Sequence, residues 1–596
     1  MVLEQEIVSL AEWLPPSLGL FMLVVIVLAL LGALLGFLAS AVKYGPAQAL
    51  AQTWGMVARG IGELTQVSPR RVWAMARLAI QEAMRRRVLV VFAVFVVGLL
   101  FAGWFLDRAS DNPVRLYLSF VLTATTYLVV LLAIFLSTFS LPNDLKNRTI
   151  YTVVTKPVRA WEIVLGRILG FSAVGTLLIA LMGVFSYVFV VRGLDHRHEV
   201  DAGSLTTAAD ASPREGRTSF QAHHRHEFRL AAEGRGRTDT RMDHWHAVER
   251  GADGGTVVGP PEGMLVARVP RGGKLRFLDR SGKPATRGIS VGSEWSYRSY
   301  VEGGTLAAAI WTFEGLTPED FPDGLPLEMT IRVFRSYKGD VEQGILGTLV
   351  VVHPDPDRGV RSVPVNFTAL EFGTDRRWIP RKLKSMAPDG SLRDVDLFDD
   401  LVKDGRVEIW VQCAERAQYF GMAQADVYLR AADRPFGWNF AKGYLSIWFQ
   451  MVVVTCFGVM FSTFLSGAVA MMTTLASIVM GYFAQFVTGV ATGQVEGGGP
   501  IESTVRLLTQ MNVSLEMEKS LGTTLMKAVD AVLLAIMWAV SYVLPDYAKF
   551  STTDFVASGF DISGSLMAQH ALITLAYFVV VTAAGYLFFR SREIGA

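Results

Sequence analysis

Apolar runs long enough to cross a bilayer recur along this chain, and a single polar stretch of about 250 residues interrupts them. A helix needs about 20 apolar residues to cross the ~30 Å hydrocarbon layer, where every backbone polar group must be satisfied inside the segment. Seven segments meet that length: 18–42, 88–106, 116–139, 163–191, 443–465, 467–490 and 568–589. An eighth, 526–544, is shorter and carries Lys527 and Asp530 near its start. The first run has an acidic flank (Glu4, Glu6, Glu12) and exceeds the length of a signal-peptide core, so it reads as a retained helix. Charged residues make up 18% of the chain, against about 25% in soluble proteins. The shortfall lies in the runs, whereas 193–442 has the composition of a soluble domain.

Lys and Arg in short loops set orientation. Segment 43–87 holds Lys43, Arg59, Arg70, Arg71, Arg77, Arg85, Arg86 and Arg87 and is placed in the cytoplasm. Loop 140–162 holds Lys146, Arg148, Lys156 and Arg159 and is also placed inside, so the following span delivers 193–442 to the outside. If 526–544 crossed fully, the basic tail Arg590-Ser591-Arg592 would lie outside and the acidic loop 545–567 inside, so the charge rule makes 526–544 re-entrant or interfacial. The expected fold class is an α-helical polytopic membrane protein with about seven transmembrane helices, one re-entrant or interfacial segment and an inserted antiparallel β-sandwich-like extracytoplasmic domain. Its expected parts are an extra helix (1–42), a cytoplasmic segment (43–87), a first transmembrane half (88–192), the outer domain (193–442) and a second half (443–596). Net charge of +2 gives no bulk attraction to nucleic acid. The two cysteines, Cys413 and Cys456, fall in regions of different character and are read as unpaired.

Two cytoplasmic stretches stand out. In 70–87, Trp73, Ala76, Ile80 and Ala83 recur at helical spacing, with Arg70, Arg71, Arg77, Arg85, Arg86 and Arg87 among them. Ser68-Pro69 supplies a helix start. This predicts a basic amphipathic helix at the inner lipid interface. In 141–167, a helix start at Asn143 or Asp144 leads to a β-branched run, a break at Lys156-Pro157 and a new helix from near Arg159. A compact loop of this kind suits docking to a partner.

Arg148-Thr149-Ile150, Lys156-Pro157-Val158 and Leu165-Gly166-Arg167 resemble in place the loop between the second and third core spans of ABC-2-type permeases. Asp144 stands where relatives often have Glu. The Arg-rich 70–87 helix resembles the family's interfacial helix, Ser462–Ser466 the start of its short hairpin, and Leu544–Phe550 the outer segment before its last span. The resemblance covers roughly 65–192 and 436–596, and the core is similar to permeases linked to gliding motility and to nitrous oxide reductase maturation. The first helix and the 193–442 insertion depart from the six-helix pattern. The resemblance implies a coupling loop at 142–160 that docks an ABC ATPase subunit, with Asn143, Asp144, Lys146, Arg148, Thr149, Lys156, Pro157 and Arg159 in it. It implies a second permease copy or paralogue as partner, export as the direction, and the bacterial inner membrane as the location. The chain has no G-x-x-x-x-G-K-[ST], so ATP and Mg belong on the partner and no cofactor is implied for this chain's own membrane part.

Within the outer domain, strands are expected from about 262 to 432: Leu327–Val333, Ile345–Val352, Val363–Leu370, Val407–Val411 and Asp426–Arg430. Residues 193–260 are polar and hold His196, His198, His223, His224, His226, His244 and His246. His-x-His pairs on an extended strand point the same way and can share a metal; imidazole suits zinc, copper or nickel. Asp243 and Glu227 could complete a shell. Alternating His and Arg could instead bind anionic head groups or glycans, or be solvated. No H-E-x-x-H occurs, so the chain is not expected to be an enzyme. Besides a permease, two other classes fit: a mechanotransmitting scaffold that acts on envelope proteins through its outer domain without moving cargo, and a membrane-anchored binding protein.

Overall fold

The computed structural model describes residues 8–591 except 86–87, 107–111, 149–157, 206–213, 232, 243, 252–254, 292–297, 337–343, 370–373, 387–389, 496, 513–514, 516 and 519. Helices α1 (Leu10–Tyr44), α2 (Pro46–Leu64), α3 (Pro69–Arg85), α4 (Val88–Phe105), α5 (Pro113–Lys146) and α6 (Ala160–Leu194) precede a β-rich stretch. Helices α7 (Phe436–Phe464), α8 (Gly467–Tyr482), α9 (Ala484–Ala491), α10 (Pro500–Leu508), α11 (Leu521–Ser541), α12 (Thr553–Ala557) and α13 (Gly564–Ser591) follow it. Among the described residues six helices are long and apolar enough to cross a membrane: α1, α5, α6, α7, α11 and α13. Helices α8 and α9 form a further candidate span bent by 67°, and α4 is a shorter apolar helix. Together with a separate antiparallel sheet region, this fits a multi-pass membrane protein.

Residues 526–544, expected to be re-entrant or interfacial, lie in the unbroken 21-residue α11 and just beyond it. The Ser520 hydroxyl accepts from the Thr523 N–H at 3.1 Å and starts this helix. The buried Asp530 carboxylate accepts from the N–H groups of Ile501 and Glu502 at 2.8 Å each and so satisfies the free donors at the start of α10. The bend falls earlier, where α8 meets α9. A Cβ at Gly481 would stand 2.4 Å from the Pro545 carbonyl and 2.5 Å from the Tyr547 ring, so the 545–547 segment passes directly against the end of α8.

At one end of the helices, α3 packs on α6 through small residues. A Cβ at Gly166 would meet Met75 at 2.3 Å, and one at Gly170 would meet the Ala76 carbonyl at 2.6 Å and Ala79 at 2.7 Å. The Gly166-x-x-x-Gly170 stripe thus lets two backbones approach closely. The face α3 buries is Val72, Met75, Ala76, Ala79 and Ala83. Trp73, expected on the apolar stripe at the lipid interface, is 65% exposed and lies off the face that α6 covers. Arg71 pairs with Glu162 at 2.7 Å, and Glu162 also accepts from the N–H groups of Ser68 and Arg159. At the same end Glu63 of α2 accepts from Tyr586 and pairs with Arg590 of α13.

The segment Leu265–Asn439, with Asp554–Asp561, forms one compact unit, and most of the remaining chain forms another. In the first, a six-stranded sheet runs in the order 365–369, 345–352, 407–413, 308–313, 274–278, 284–285, and a four-stranded sheet in the order 375–380, 324–329, 427–434, 267–272. Both sheets feed one core that includes Trp311, Phe313, Val411, Leu327, Met329 and Leu429. Alternation explains it: Val407, Ile409 and Val411 pair with Phe313, Trp311 and Ala309 and point inward together. The 327–333 run breaks into two strands at Thr330-Ile331, and 345–352 has the expected limits. Segment 554–561 joins this unit by an Asp561 N–H bond to the Arg268 carbonyl and an Arg268 N–H bond to the Gly559 carbonyl, both 2.8 Å.

Candidate metal centre

Residues 195–264, treated from sequence as a polar leader to the strands, carry a five-stranded antiparallel sheet of their own. Its strands are β1 (Arg214–Arg217), β2 (Glu227–Leu230), β3 (Arg235–Thr238), β4 (Trp245–Arg250) and β5 (Thr256–Glu262), paired in chain order. A 20-residue repeat underlies it. Gly216-Arg217-Thr218 returns as Gly236-Arg237-Thr238, and His224-x-His226 returns as His244-x-His246. His196-x-His198, directly after α6, supplies a third pair. In each repeat a two-residue turn swings the first histidine back across the strand. Gln221 and His224 exchange both backbone hydrogen bonds at 3.1 Å, and Arg241 and His244 do so at 3.0 Å. The turns use left-handed backbone at Ala222 (φ 49), His223 (φ 64) and Met242 (φ 47), a conformation unfavourable for residues with a Cβ.

Six histidine rings meet at the centre of this lobe. In each pair the first ring ties its Nδ1 to the carbonyl two residues before it: His196 to Leu194 (3.0 Å), His224 to Ala222 (2.9 Å) and His244 to Met242 (3.2 Å). The second ring ties its Nδ1 to a carbonyl further along the chain: His198 to Ser219, His226 to Asp239 and His246 to Gly259, all at 2.9 Å. A carbonyl can only accept, so every Nδ1 carries the proton and every Nε2 presents a bare lone pair. Two threonines hold the frame. Thr218 Oγ1 accepts from the His226 N–H and Thr238 Oγ1 from the His246 N–H, both at 2.9 Å, and each hydroxyl donates to the next carbonyl, Ser219 or Asp239.

The Nε2 atoms converge. His244 Nε2 stands 3.0 Å from that of His196, 3.1 Å from that of His224 and 3.3 Å from that of His226, and those of His198 and His224 are 3.2 Å apart. With both atoms unprotonated these are not hydrogen bonds; they are neighbouring ligands around a common point. Each ring lies edge-on to four of the others at centroid distances of 4.8–5.2 Å. The fifth stands across the centre: His226 opposite His196, His244 opposite His198, His246 opposite His224. The ligand nitrogens of five of them, His196, His198, His224, His244 and His246, lie within 4.8 Å of one another. Five rings are buried, His196 less so. Burial, with the neighbouring imidazoles adding, holds His198, His224 and His246 down to about 4 and His244 to about 2. This is a set of neutral nitrogen donors suited to a transition-metal ion.

The other expected site residues fall elsewhere. His223 occupies the turn and is not part of the cluster; its counterpart in the second repeat is Asp243, which lies outside the described residues. Glu227 is exposed and pairs with Arg217 at 3.1 Å, so it completes no shell. Asn143, Asp144 and Lys146 belong to the last turn of α5, which runs through Pro142 instead of ending before it. Asp144, expected at a partner surface, joins the buried Arg167 guanidinium, which also meets Ser140 and pairs with Glu82 at 3.1 Å. Lys146 and Arg148 are exposed, and Arg159 precedes α6 as expected. Thr149, Lys156, Pro157, Arg86 and Arg87 lie outside the described residues. The His-x-His pairs were visible in the sequence; the signal that unites them, the 20-residue repeat, is what a residue-type reading passes over. Compared with known proteins, the chain matches no family model, no curated protein and no solved structure.

Proposed function

We propose that this chain is a transition-metal-binding membrane protein whose metal site lies in the 195–264 lobe, directly after α6. One observation carries the reading: six imidazoles present unprotonated Nε2 atoms to one point, each fixed by an Nδ1–H bond to a backbone carbonyl. Such outer hydrogen bonds set the tautomer and orientation that a metal-ligating histidine needs. His196 bonds to Leu194, the last residue of α6, so a bound ion grips the end of a membrane-spanning helix. The chain purified in mild detergent is expected to carry one transition-metal ion, measured by inductively coupled plasma mass spectrometry. A double variant His224→Ala, His226→Ala should carry none. Equal metal content in the two would defeat the reading.

For the helical part we propose the membrane subunit of an ABC-2-type exporter, driven by ATP and Mg on a separate ATPase subunit and paired with a second copy. The specific support is the buried Arg167 knot, which joins Glu82 of α3, Ser140 and Asp144 of α5 and α6 itself at one end of the helices. A joint of that kind transmits a push on the 142–160 loop to three helices together. The mechanotransmission alternative uses the same joint. The hydroxyls of Thr125, Thr126, Ser137, Thr473 and Thr474 bond to carbonyls of their own helices, which offers little support for a polar path for cargo. The test is a pull-down from native membranes. A soluble P-loop ATPase should co-purify and be lost on changing the exposed Lys146 and Arg148 to Ala. Recovery of the chain with envelope proteins alone would favour the scaffold.

A further inference from the structure

Resting on the metal-binding reading above, we propose that the lobe holds a single divalent ion of the iron-to-nickel series in a closed, six-coordinate, all-imidazole shell, and that this ion is what keeps the lobe folded. Three observations carry it.

The first is the arrangement of the rings. Each of the six has four neighbours and one opposite, which is the connectivity of an octahedron and of no four-coordinate figure. Each His-x-His unit contributes two adjacent corners, with its rings 4.9–5.1 Å apart, so the chain acts as three bidentate arms. In a regular octahedron neighbouring ligands stand √2 bond lengths apart. The 3.0–3.3 Å between adjacent Nε2 atoms then corresponds to a metal–nitrogen bond of about 2.2 Å, slightly longer than the ~2.0–2.1 Å of four-coordinate zinc–imidazole.

The second is the chemistry of the donors. Structural zinc is almost always four-coordinate. Cu(II) prefers tetragonal geometry, and magnesium, calcium and manganese prefer oxygen. A shell of six neutral imidazoles with octahedral connectivity therefore disfavours each of these and suits iron, cobalt or nickel in the divalent state. All six positions belong to protein, so no corner remains for substrate or water. That argues for a structural or sensing role over catalysis by the ion.

The third is what else holds the lobe. Its buried apolar cluster is Phe228, Leu230 and Val248, with Val200 and Leu205 packed against it. So small a core cannot offset the chain entropy of ordering about 70 residues, and domains with that deficit are held by disulfides or metals. The only two cysteines lie at 413 and 456, outside the lobe. Backbone held left-handed at Ala222, His223 and Met242 adds strain that the ion must offset.

The experiment loads the metal-free full-length chain in detergent with Co2+ alone and reads its visible spectrum, followed by limited proteolysis with and without chelator. One Co2+ per chain with the weak d–d bands of six-coordinate cobalt is expected, together with cleavage inside 195–264 only after chelation. His196→Ala opens one corner without touching the sheet, so it should strengthen the bands and weaken binding, whereas His223→Ala should do neither. Intense tetrahedral bands, or a His196→Ala spectrum identical to the parent's, would overturn the six-coordinate shell and leave metal binding standing. A chelated lobe as protease-resistant as the loaded one would overturn the folding role. A chain that retains no Co2+ would overturn this inference and the metal-binding reading together.

Discussion

An imidazole whose Nδ1–H is committed to a carbonyl has one basic atom left, and six such atoms facing one point can all accept a metal but not six protons. Protons and metal therefore compete. In the folded lobe, burial chiefly, and then the neighbouring rings, depress His198, His224 and His246 from 6.5 to about 4. The unfolded chain protonates near 6.5 and so binds more protons below that pH. The lobe's stability is complete above about 6.5 and is lost as pH falls toward 4. Metal content after gel filtration should stay full at pH 7.5 and fall across that window; retention unchanged at pH 4.5 would contradict it. The threonine frame makes a second prediction. Thr218→Val and Thr238→Val remove no ligand, but they unfasten the backbone behind His226 and His246. Metal affinity, measured by competition with a chromophoric chelator, should drop by about 10–100-fold. These residues show what sequence conveys at this scale. His-x-His announces a chelating pair by its spacing, but which pairs converge depends on two turns whose left-handed residues, Ala222 and Met242, carry no turn signature. His223 misled because it abuts a ligand, although its place in the repeat is taken by Asp243.

Among elements, the α3–α6 contact depends on glycines, where hydrophobic pattern is silent. The periodicity of 70–87 located the α3 helix and its Pro69 start and put Trp73 on an apolar stripe for the lipid interface, but such a stripe does not say which of its residues a neighbouring helix covers. The two glycines of α6 do. A Cβ at Gly170 would press on Ala76 and Ala79 at under 3 Å, whereas one at Gly36 in α1 meets nothing within 4 Å. Gly170→Ala should therefore cost about 1–3 kcal/mol by overpacking, and Gly36→Ala should be near neutral or slightly stabilising through helix propensity. Thermal unfolding in detergent compares them directly, and equal melting temperatures would remove the contact from the list of things holding α3. Length and composition also made most spans legible. At 526–544 the charge rule, applied to the basic tail and the acidic loop 545–567, pointed to a re-entrant or interfacial segment, whereas the chain forms one unbroken apolar helix there. Asp530 is spent on the first N–H groups of α10, a long-range partner that no window of sequence reveals.

For the whole molecule, the two β regions are stabilised by different means, and this separates their responses. The Leu265–Asn439 unit has a large continuous core, from Phe277 and Trp311 through Leu349 to Phe420 and Leu429. Among the described residues the lobe's apolar cluster buries only Phe228, Leu230 and Val248, beside its six histidine rings. An ion at 100 times its Kd adds about 2.7 kcal/mol to whatever it binds when folded, a decisive amount for a lobe with so small an apolar core and a minor one beside the core of the Leu265–Asn439 unit. The cysteines report on this without new labels. Cys413 lies in the β core, 3% exposed, its thiol pushed up to about 12 by burial, so it reacts only when that unit opens. In a Cys456→Ala background, chelation should expose 195–264 to protease while the rate of Cys413 alkylation stays at its metal-loaded value. If alkylation accelerates with chelation, the ion supports the β unit as well, and the lobe is a keystone of the whole polar region. If both readouts stay unchanged, the ion stabilises neither, and its grip on the end of α6 becomes the property to pursue.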